Sequence, residues 1–153
     1  MKLLEHVLSK REKLLVMLFI FYSVFVVWMT LIIREPRLTA RVFEPRLFWA
    51  IKSWISGTDN GKVETIQYIQ NILFFIPFGF LFPLKKWNQV FFSALFTSTV
   101  IEVLQYIFNL GWCEIDDVIS NTTGAFIGFG LWSVFEKIYR KNRGKRLCRL
   151  RKY

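Results

Sequence analysis

The hydrophobic positions of this chain are gathered into four long runs. Each run is at least 18 residues long and holds at most one charge: 14–33, 65–84, 87–113 and 118–135. A helix needs about 20 predominantly apolar residues to cross the hydrocarbon core of a bilayer. The pattern therefore predicts an all-α fold, a four-helix transmembrane bundle that forms a single membrane domain over residues 1–153.

Composition agrees with this prediction, because 54% of the residues are hydrophobic and 18% are aromatic, although the net charge is +10. A soluble domain of this size would bury a core without apolar runs this long. The first run is preceded by basic residues but is longer than the apolar core of a signal peptide, which is about 7–15 residues. We interpret it as a retained membrane anchor.

The basic residues predict the orientation of the spans. Of the 21 lysines and arginines, 15 lie before the first run, between the second and third, or after the fourth. Because basic residues are enriched in cytoplasmic segments, these three segments are placed in the cytoplasm. The expected protein is a multi-pass protein of the plasma membrane with both termini cytoplasmic. Residues 137–153 form a basic cytoplasmic tail, for which membrane lipids are a better partner than nucleic acid.

The segment between the first two spans contains apolar residues at helical spacing: Leu47, Phe48, Ile51, Trp54 and Ile55. Arg46, Lys52 and Ser53 lie among them. This pattern predicts an amphipathic helix lying in the outer membrane interface. The alternative is a helix that packs on the spans as a lid.

Polar residues recur at one depth in the last three spans. With a rise of about 1.5 Å per residue, their side chains fall within the outer half of the membrane. Ser98, Glu102 and Gln105 share one face of the third span, and Asp117 and Asn121 share one face of the fourth. We expect a ligand-binding cavity open to the outer leaflet, with these candidate residues: Asn71, Glu102, Gln105, Asp116, Asp117 and Asn121.

Each of these features also has a purely structural interpretation. Glu102 could be a neutral acid that is hydrogen-bonded to Gln105, Asn71, Asn121 or water. Asp116 or Asp117 could be the N-cap of the fourth span. Two further features bear on helix packing. Pro77 is expected to kink the second span and free the carbonyl of Leu73, and Gly124 and Gly128 form a pair that allows close helix contact.

No cofactor motif is present, and the prediction is that the protein binds none. His6 is the single histidine, and Cys113 and Cys148 have no metal-ligand spacing, which argues against a histidine or cysteine metal site. A metal held by carboxylates alone remains open. On the predicted topology the two cysteines lie on opposite sides of the membrane and cannot pair within one molecule.

Three segments together resemble the VanZ-like family of bacterial membrane proteins: Asn71-Ile-Leu-Phe-Phe-Ile-Pro-Phe-Gly79, Ile101-Glu-Val-Leu-Gln105 and Glu114-Ile-Asp-Asp-Val-Ile-Ser-Asn121-Thr-Thr-Gly124. Many members carry an arginine shortly before the aspartate pair, where this chain has Trp112-Cys113. The resemblance implies a role in resistance to glycopeptide antibiotics, teicoplanin above all. It also implies the setting of a Gram-positive-type plasma membrane, whose cell-wall precursors are exposed on the outer face.

Three hypotheses for the function follow. The first is a non-catalytic protein that binds a lipid, a lipid-linked cell-wall intermediate or a glycopeptide antibiotic at the outer leaflet. The second is an intramembrane enzyme that uses Glu102, Asp116 or Asp117 as general acid or base on a lipid-linked substrate. The third is a small transporter, assembled as a homo-oligomer, in which Glu102 exchanges protons. The sequence alone does not decide whether the protein is an enzyme.

Overall fold

The protein is mostly helical. The computed structural model describes residues 10–34, 41–57, 61–83 and 86–150. Within these residues five α-helices follow one another: α1 (Lys10–Val27), α2 (Trp49–Ile55), α3 (Gly61–Leu81), α4 (Trp87–Ile107) and α5 (Ile115–Leu150). A π-helical turn, Trp28–Ile32, extends α1.

The fold departs from all-α at one small point. Two-residue strands β1 (Phe43–Glu44) and β2 (Cys113–Glu114) pair in parallel, with Phe43 opposite Cys113 and Glu44 opposite Glu114. The Cys113 N–H also donates to the carbonyl of Val42 at 3.0 Å. This pairing attaches the segment before α2 to the turn between α4 and α5.

Among the described residues, three helices are long and apolar enough to cross a membrane: Lys10–Ile32, Trp87–Ile107 and Ile115–Asn142. The predicted second span lies in α3, which has 21 residues and a comparable length. It is less apolar than the other three because its first half carries Gln67, Gln70 and Asn71.

Ring contacts and hydrogen bonds show that the helices alternate in direction. Phe19 of α1 lies 5.4 Å from Phe82, and Phe25 lies 6.0 Å from Phe74, so α1 runs antiparallel to α3. The Phe91–Phe126 contact and the Ser98–Asn121 hydrogen bond show that α4 is antiparallel to α5. As a result α1 and α4 end where α3 and α5 begin. We call this the cavity end of the molecule, after the cavity that lies there.

The buried core is built mainly from aromatic residues of α3 and smaller residues of its neighbours. Phe75 and Phe78 of α3, Phe82 directly after it and Val26 of α1 belong to one buried cluster, which Val90, Ala94, Ile101 and Ala125 complete. Much of the remaining apolar surface faces outward, as Phe21 at 74% exposure and Phe96 at 71% illustrate. Such an outward-facing apolar surface suits a hydrocarbon environment.

Glycines set the contact between α3 and α5. A Cβ atom added at Gly124 would lie 2.1 Å from the carbonyl oxygen of Ile72, and one at Gly128 would lie 2.0 Å from that of Ile76. Gly79 of α3 makes the reciprocal contact, at 1.8 Å from the carbonyl oxygen of Ala125. The predicted close packing through Gly124 and Gly128 is therefore confirmed, and the two helices touch backbone to backbone.

The residues around Pro77 differ in detail from the prediction. Helix α3 continues through Pro77 to Leu81. The Tyr22 hydroxyl of α1 donates to the carbonyl of Phe74, one residue after the carbonyl that was expected to be freed. Leu73, Pro77 and Tyr22 also line a shallow apolar groove of about 450 Å³ between α1 and α3.

The predicted helix in the first long link is present as α2. It is shorter than the apolar pattern suggests, because Leu47 and Phe48 lie in the turn before it. Ser53 is 3% exposed, and a Cβ atom at Gly61 would lie 2.6 Å from its carbonyl oxygen, so α2 packs closely on the start of α3. Trp54 and Ile55, 57% and 82% exposed, face away from the protein.

At the opposite end of the molecule, a cationic side chain links α1 to α5. Arg11 forms an ion pair with Glu136 at 2.7 Å, and its guanidinium carbon lies 4.9 Å from the ring centre of Trp132 and 4.7 Å from that of Tyr139. Helix α5 continues to Leu150, so the first part of the predicted basic tail is an extension of the last span. Residues 151–153 of that tail lie outside the described residues.

Candidate functional site

A cavity of about 820 Å³ lies at the cavity end, between the start of α3, the start of α5 and the segment that contains β1 and α2. Its wall combines charged, amide and aromatic side chains: Arg34, Glu44, Arg46, Trp49, Val63, Glu64, Gln67, Tyr68, Gln70, Asn71, Leu110, Gly111, Trp112, Glu114, Asp116 and Asp117. A volume of this size accommodates a small molecule or the head group of a larger one.

Asn71 and Asp117 meet in the wall of this cavity. The Asn71 side chain is hydrogen-bonded to the carboxylate of Asp117, which joins the first half of α3 to the first turn of α5. The close contact at Gly124 lies two turns further along α5 and holds the two helices at this separation. Three of the predicted residues, Asn71, Asp116 and Asp117, therefore lie together and face one cavity.

Asp116 holds the segment before α2 over the helix ends. Its carboxylate oxygen accepts a hydrogen bond from the backbone N–H of Phe48 at 2.5 Å, and Asp116 is 5% exposed. Phe48 has φ 54°, a left-handed conformation that is uncommon for a bulky residue. The N-cap hypothesis for Asp116 and Asp117 is wrong, because α5 begins at Ile115 and both lie within its first turn.

The other three predicted residues form a buried layer behind the cavity wall. Asn121 donates to the Ser98 hydroxyl at 2.8 Å, and Gln105 donates to the carbonyl of Thr30 at 3.2 Å. Glu102 accepts from the backbone N–H of Glu114 at 3.1 Å. Glu102, Gln105 and Asn121 are not part of the cavity lining.

The partner of Glu102 differs from the side chains proposed from the sequence. It is a backbone N–H of β2, outside the spans, rather than the side chain of Gln105, Asn71 or Asn121. Glu102 is 3% exposed. It thus connects α4 to the turn that carries the cavity residue Glu114, and its position supports the geometry of the wall.

Arg34 is a cavity residue that the sequence reasoning did not select. It follows the π-helical turn of α1, and its Nη1 would lie 3.1 Å from a Cβ atom at Gly111. It is close enough to interact electrostatically with Asp117 and Glu102. Its position as the first charged residue after the first apolar run was the feature of the sequence that could have identified it. A guanidinium thus reaches the residue before Trp112, near where many family members carry an arginine.

A second arginine is held within the wall. Arg46 contacts the Glu44 carboxylate at 2.6 and 2.7 Å, and its guanidinium carbon lies 3.6 Å from the ring centre of Trp49. The hydrogen bond from Arg46 lowers the pKa of Glu44 below its ordinary value. Glu44 is consequently ionised and paired at neutral pH.

Glu114 has the opposite electrostatic environment. Burial and, after it, the negative charges of Asp117, Asp116, Glu44 and Glu64 together raise its pKa from 4.5 to about 7. Repulsion among neighbouring carboxylates disfavours the charged form. Ionisation of Glu114 therefore destabilises the arrangement in which β1 and β2 are paired beside the cavity.

This environment predicts a pH dependence of stability. The folded-state pKa of Glu114 is raised above its unfolded value, so its contribution is fully present below pH 4.5 and is lost as the pH rises through about 7. We expect the melting temperature of the purified protein to fall between about pH 5 and about pH 8. Glu114→Gln should flatten that profile, whereas Glu12→Gln, on α1 away from the cavity, should not. An unchanged profile in Glu114→Gln would contradict this assignment.

The polar groups of the cavity wall include carboxylate and amide side chains set among aromatic rings. Among the described residues, no three histidine, cysteine, aspartate or glutamate side chains are arranged to hold one metal ion. One carboxylate oxygen of Glu64 is buried and receives no hydrogen bond from the described part of the chain. Carboxylate and amide groups spread over a wall with Trp49, Tyr68 and Trp112 can accept several hydrogen bonds from one polar group of a ligand.

The helices and this cavity together define a class of protein, a small helical membrane protein with a charged cavity at one end of its helices. A family model described as VanZ/LLP1 matches residues 15–136, and the chain belongs to this family. The resemblance predicted from the three segments is thus confirmed.

Part of the chain is also similar to a curated protein. A stretch of 75 residues is 36% identical to Protein VanZ of Enterococcus faecium. The match covers 46% of this chain and 47% of that protein, so it spans about half the length of the relative. No solved structure matches the chain significantly.

Proposed function

We propose that this protein is a multi-pass membrane protein that binds a lipid or lipid-linked cell-wall intermediate at the outer leaflet. Through this binding it supports tolerance of teicoplanin and related antibiotics, the role that the resemblance to the VanZ-like family implies. The observation that carries the proposal is the cavity itself. Asn71 and Asp117 are hydrogen-bonded to each other in its wall, and Asp116 holds the adjacent segment over it.

The buried layer behind the wall supports a binding role. Its polar side chains are hydrogen-bonded, and burying them without partners would cost free energy. Burial of a polar group without a hydrogen bond costs about 1–3 kcal/mol. Glu102, Gln105 and Asn121 are each hydrogen-bonded and lie directly behind the wall. Such a network holds the cavity residues in defined positions before a ligand arrives, which reduces the cost of binding.

The proposed topology has four spans, with α3 as the least apolar of them. The alternating directions of α1, α3, α4 and α5 are those that four consecutive spans require. The excess of basic residues at the opposite end supports a cytoplasmic location for both termini. The cavity end, with α2 lying against the interface through Trp54 and Ile55, then opens toward the outer leaflet.

Thiol labelling of the two natural cysteines tests this topology. In sealed cells a membrane-impermeant maleimide should label Cys113, which is partly exposed near the cavity, and should not label Cys148. Cys148 should become reactive once the cells are opened. If α3 does not span, Cys113 and Cys148 exchange sides, and the labelling pattern reverses. Single-cysteine variants Cys113→Ser and Cys148→Ser serve as matched controls.

Tolerance measurements test the binding function. In a teicoplanin-sensitive Gram-positive host, the wild-type protein should raise the minimal inhibitory concentration. Asp117→Ala and Asn71→Ala should each reduce it to the level of the empty vector, because each removes one half of the pair in the cavity wall. The values are normalised to the amount of folded protein in the membrane.

Glu12→Ala provides the control, since it removes a carboxylate of α1 that does not line the cavity. Full tolerance in Asp117→Ala and Asn71→Ala at normal expression would show that the cavity has only a structural role. A loss of tolerance in Glu12→Ala as well would show that the assay reports general damage to the protein.

A further inference from the structure

The charges in the cavity identify the chemistry of the group that enters it. We propose that the cavity recognises an ammonium group, carried by a lipid head group or by a soluble amine, rather than a phosphate or carboxylate. This inference rests on the proposed binding function and specifies its ligand class. It is carried by the charge distribution of the wall, by the unpartnered oxygen of Glu64 and by the way the wall already holds a guanidinium.

Carboxylates outnumber cations in the lining. Among the described residues of the lining, five are acidic and two are arginines, which gives an excess of three negative charges when all are ionised. Arg46 is paired with Glu44. Arg34 lies beside Asp117 and Glu102, which offset its charge. An anionic ligand would therefore approach a net negative wall, whereas a cation would relieve the repulsion among the carboxylates.

Glu64 provides an observation that is independent of the total charge. One of its carboxylate oxygens is buried and accepts no hydrogen bond from any described residue, although Glu64 lines the cavity. Leaving a buried acceptor without a partner is unfavourable, and a charged acceptor is the most costly case. A donor supplied by a ligand would satisfy it, and an ammonium group offers three N–H donors.

Arg46 shows how this wall holds a cation. Its guanidinium lies over the Trp49 ring, donates to Glu44 and interacts electrostatically with Glu64 and Glu114. The same combination of an aromatic face and carboxylates is the arrangement that binds ammonium groups in proteins. Tyr68 and Trp112 add two further aromatic side chains to the lining of the cavity.

Two lipids that differ only in the head group test the inference. The purified full-length protein is delipidated and offered an equimolar mixture of phosphatidylethanolamine and phosphatidylglycerol with identical acyl chains. Native mass spectrometry then measures which lipid remains bound. We expect preference for phosphatidylethanolamine of about tenfold, since each charge-assisted hydrogen bond is worth about a factor of ten. No preference, or preference for phosphatidylglycerol, overturns the inference. This comparison uses only the wild-type protein, so the result does not depend on whether a variant folds.

Variants of cavity residues test whether the head-group preference arises in the cavity. Glu64→Gln and Glu114→Gln should each reduce it about tenfold, because they remove charge with little change of shape. Glu12→Gln should leave it unchanged. A preference that survives both cavity variants overturns the assignment to this site. Melting temperatures of the variants identify any that do not fold.

Competition by a soluble amine distinguishes the two sources of the ammonium group, the lipid head group and a free amine. If free ethanolamine displaces the bound lipid, the ammonium group alone is recognised. If only the lipid binds, the glycerophosphate and acyl chains are also needed, and both results support the inference. Loss of lipid preference together with intact tolerance in the cavity variants would contradict the proposed function. Loss of preference with tolerance still dependent on Asp117 would contradict only the ammonium class.

Discussion

Gly128→Ala is expected to remove most of the stability of the contact between α3 and α5. The new Cβ atom would lie 2.0 Å from the carbonyl oxygen of Ile76 and 2.8 Å from the backbone nitrogen of Phe80. Both are backbone atoms of a helix, which cannot move aside as a flexible side chain would. Overpacking in a core costs about 1–3 kcal/mol and occasionally more. We expect a large fall in melting temperature and in the yield of monodisperse protein.

Gly130→Ala is the matched control on the same helix. A Cβ atom at Gly130 would meet nothing within 4 Å. Alanine is favoured over glycine within a helix by about 1 kcal/mol, so this variant should be neutral or slightly stabilising. The two variants share the gain in helix propensity, and their difference isolates the close contact. Equal stabilities would show that α3 and α5 are further apart in the membrane.

Glu102→Leu is expected to abolish function, whereas Glu102→Gln should retain most of it. The carboxylate accepts the backbone N–H of Glu114 at 3.1 Å, and glutamine retains both the shape and an acceptor oxygen. Leucine leaves that N–H without its acceptor, which costs about 1–3 kcal/mol, and releases the turn that carries the cavity residue Glu114. Teicoplanin tolerance per folded molecule is the measurement.

Val103→Leu is the control for Glu102, because Val103 is the next residue of α4 and is 45% exposed. It should have no effect on tolerance. If Glu102→Gln loses tolerance as completely as Glu102→Leu, while both proteins fold, Glu102 must ionise or exchange a proton. That result would favour the transporter or enzyme hypotheses over a neutral hydrogen bond.

Local patterns were sufficient for much of the fold. Hydrophobic length predicted the positions of the long helices, because backbone groups in an apolar run are satisfied within a helix. The spacing of Gly124 and Gly128 predicted the close packing on α3, and the spacing of Ser98, Glu102 and Gln105 predicted a common buried face. These features depend on residues of one helix, which the period of 3.6 residues brings to one side.

The site could be predicted only in part, because its partners come from distant segments. Arg34 reaches Gly111 from the end of α1, and Asp116 bonds the backbone of Phe48, 68 residues earlier. No spacing within one helix indicates such contacts. The same limit explains why the backbone N–H of Glu114 was not among the expected partners of Glu102.

By itself the sequence determined the family, the helical class and which polar residues of three helices are candidates for the site, since all of these follow from local order along the chain. Only the tertiary structure decided which of those residues face a cavity and which are buried behind it. Asn71 and Asp117 face it because the glycine contact aligns α3 with α5, while Asn121 is turned toward Ser98 of α4. Helix separation and rotation are set by packing between helices, and that packing decides the destination of each polar side chain.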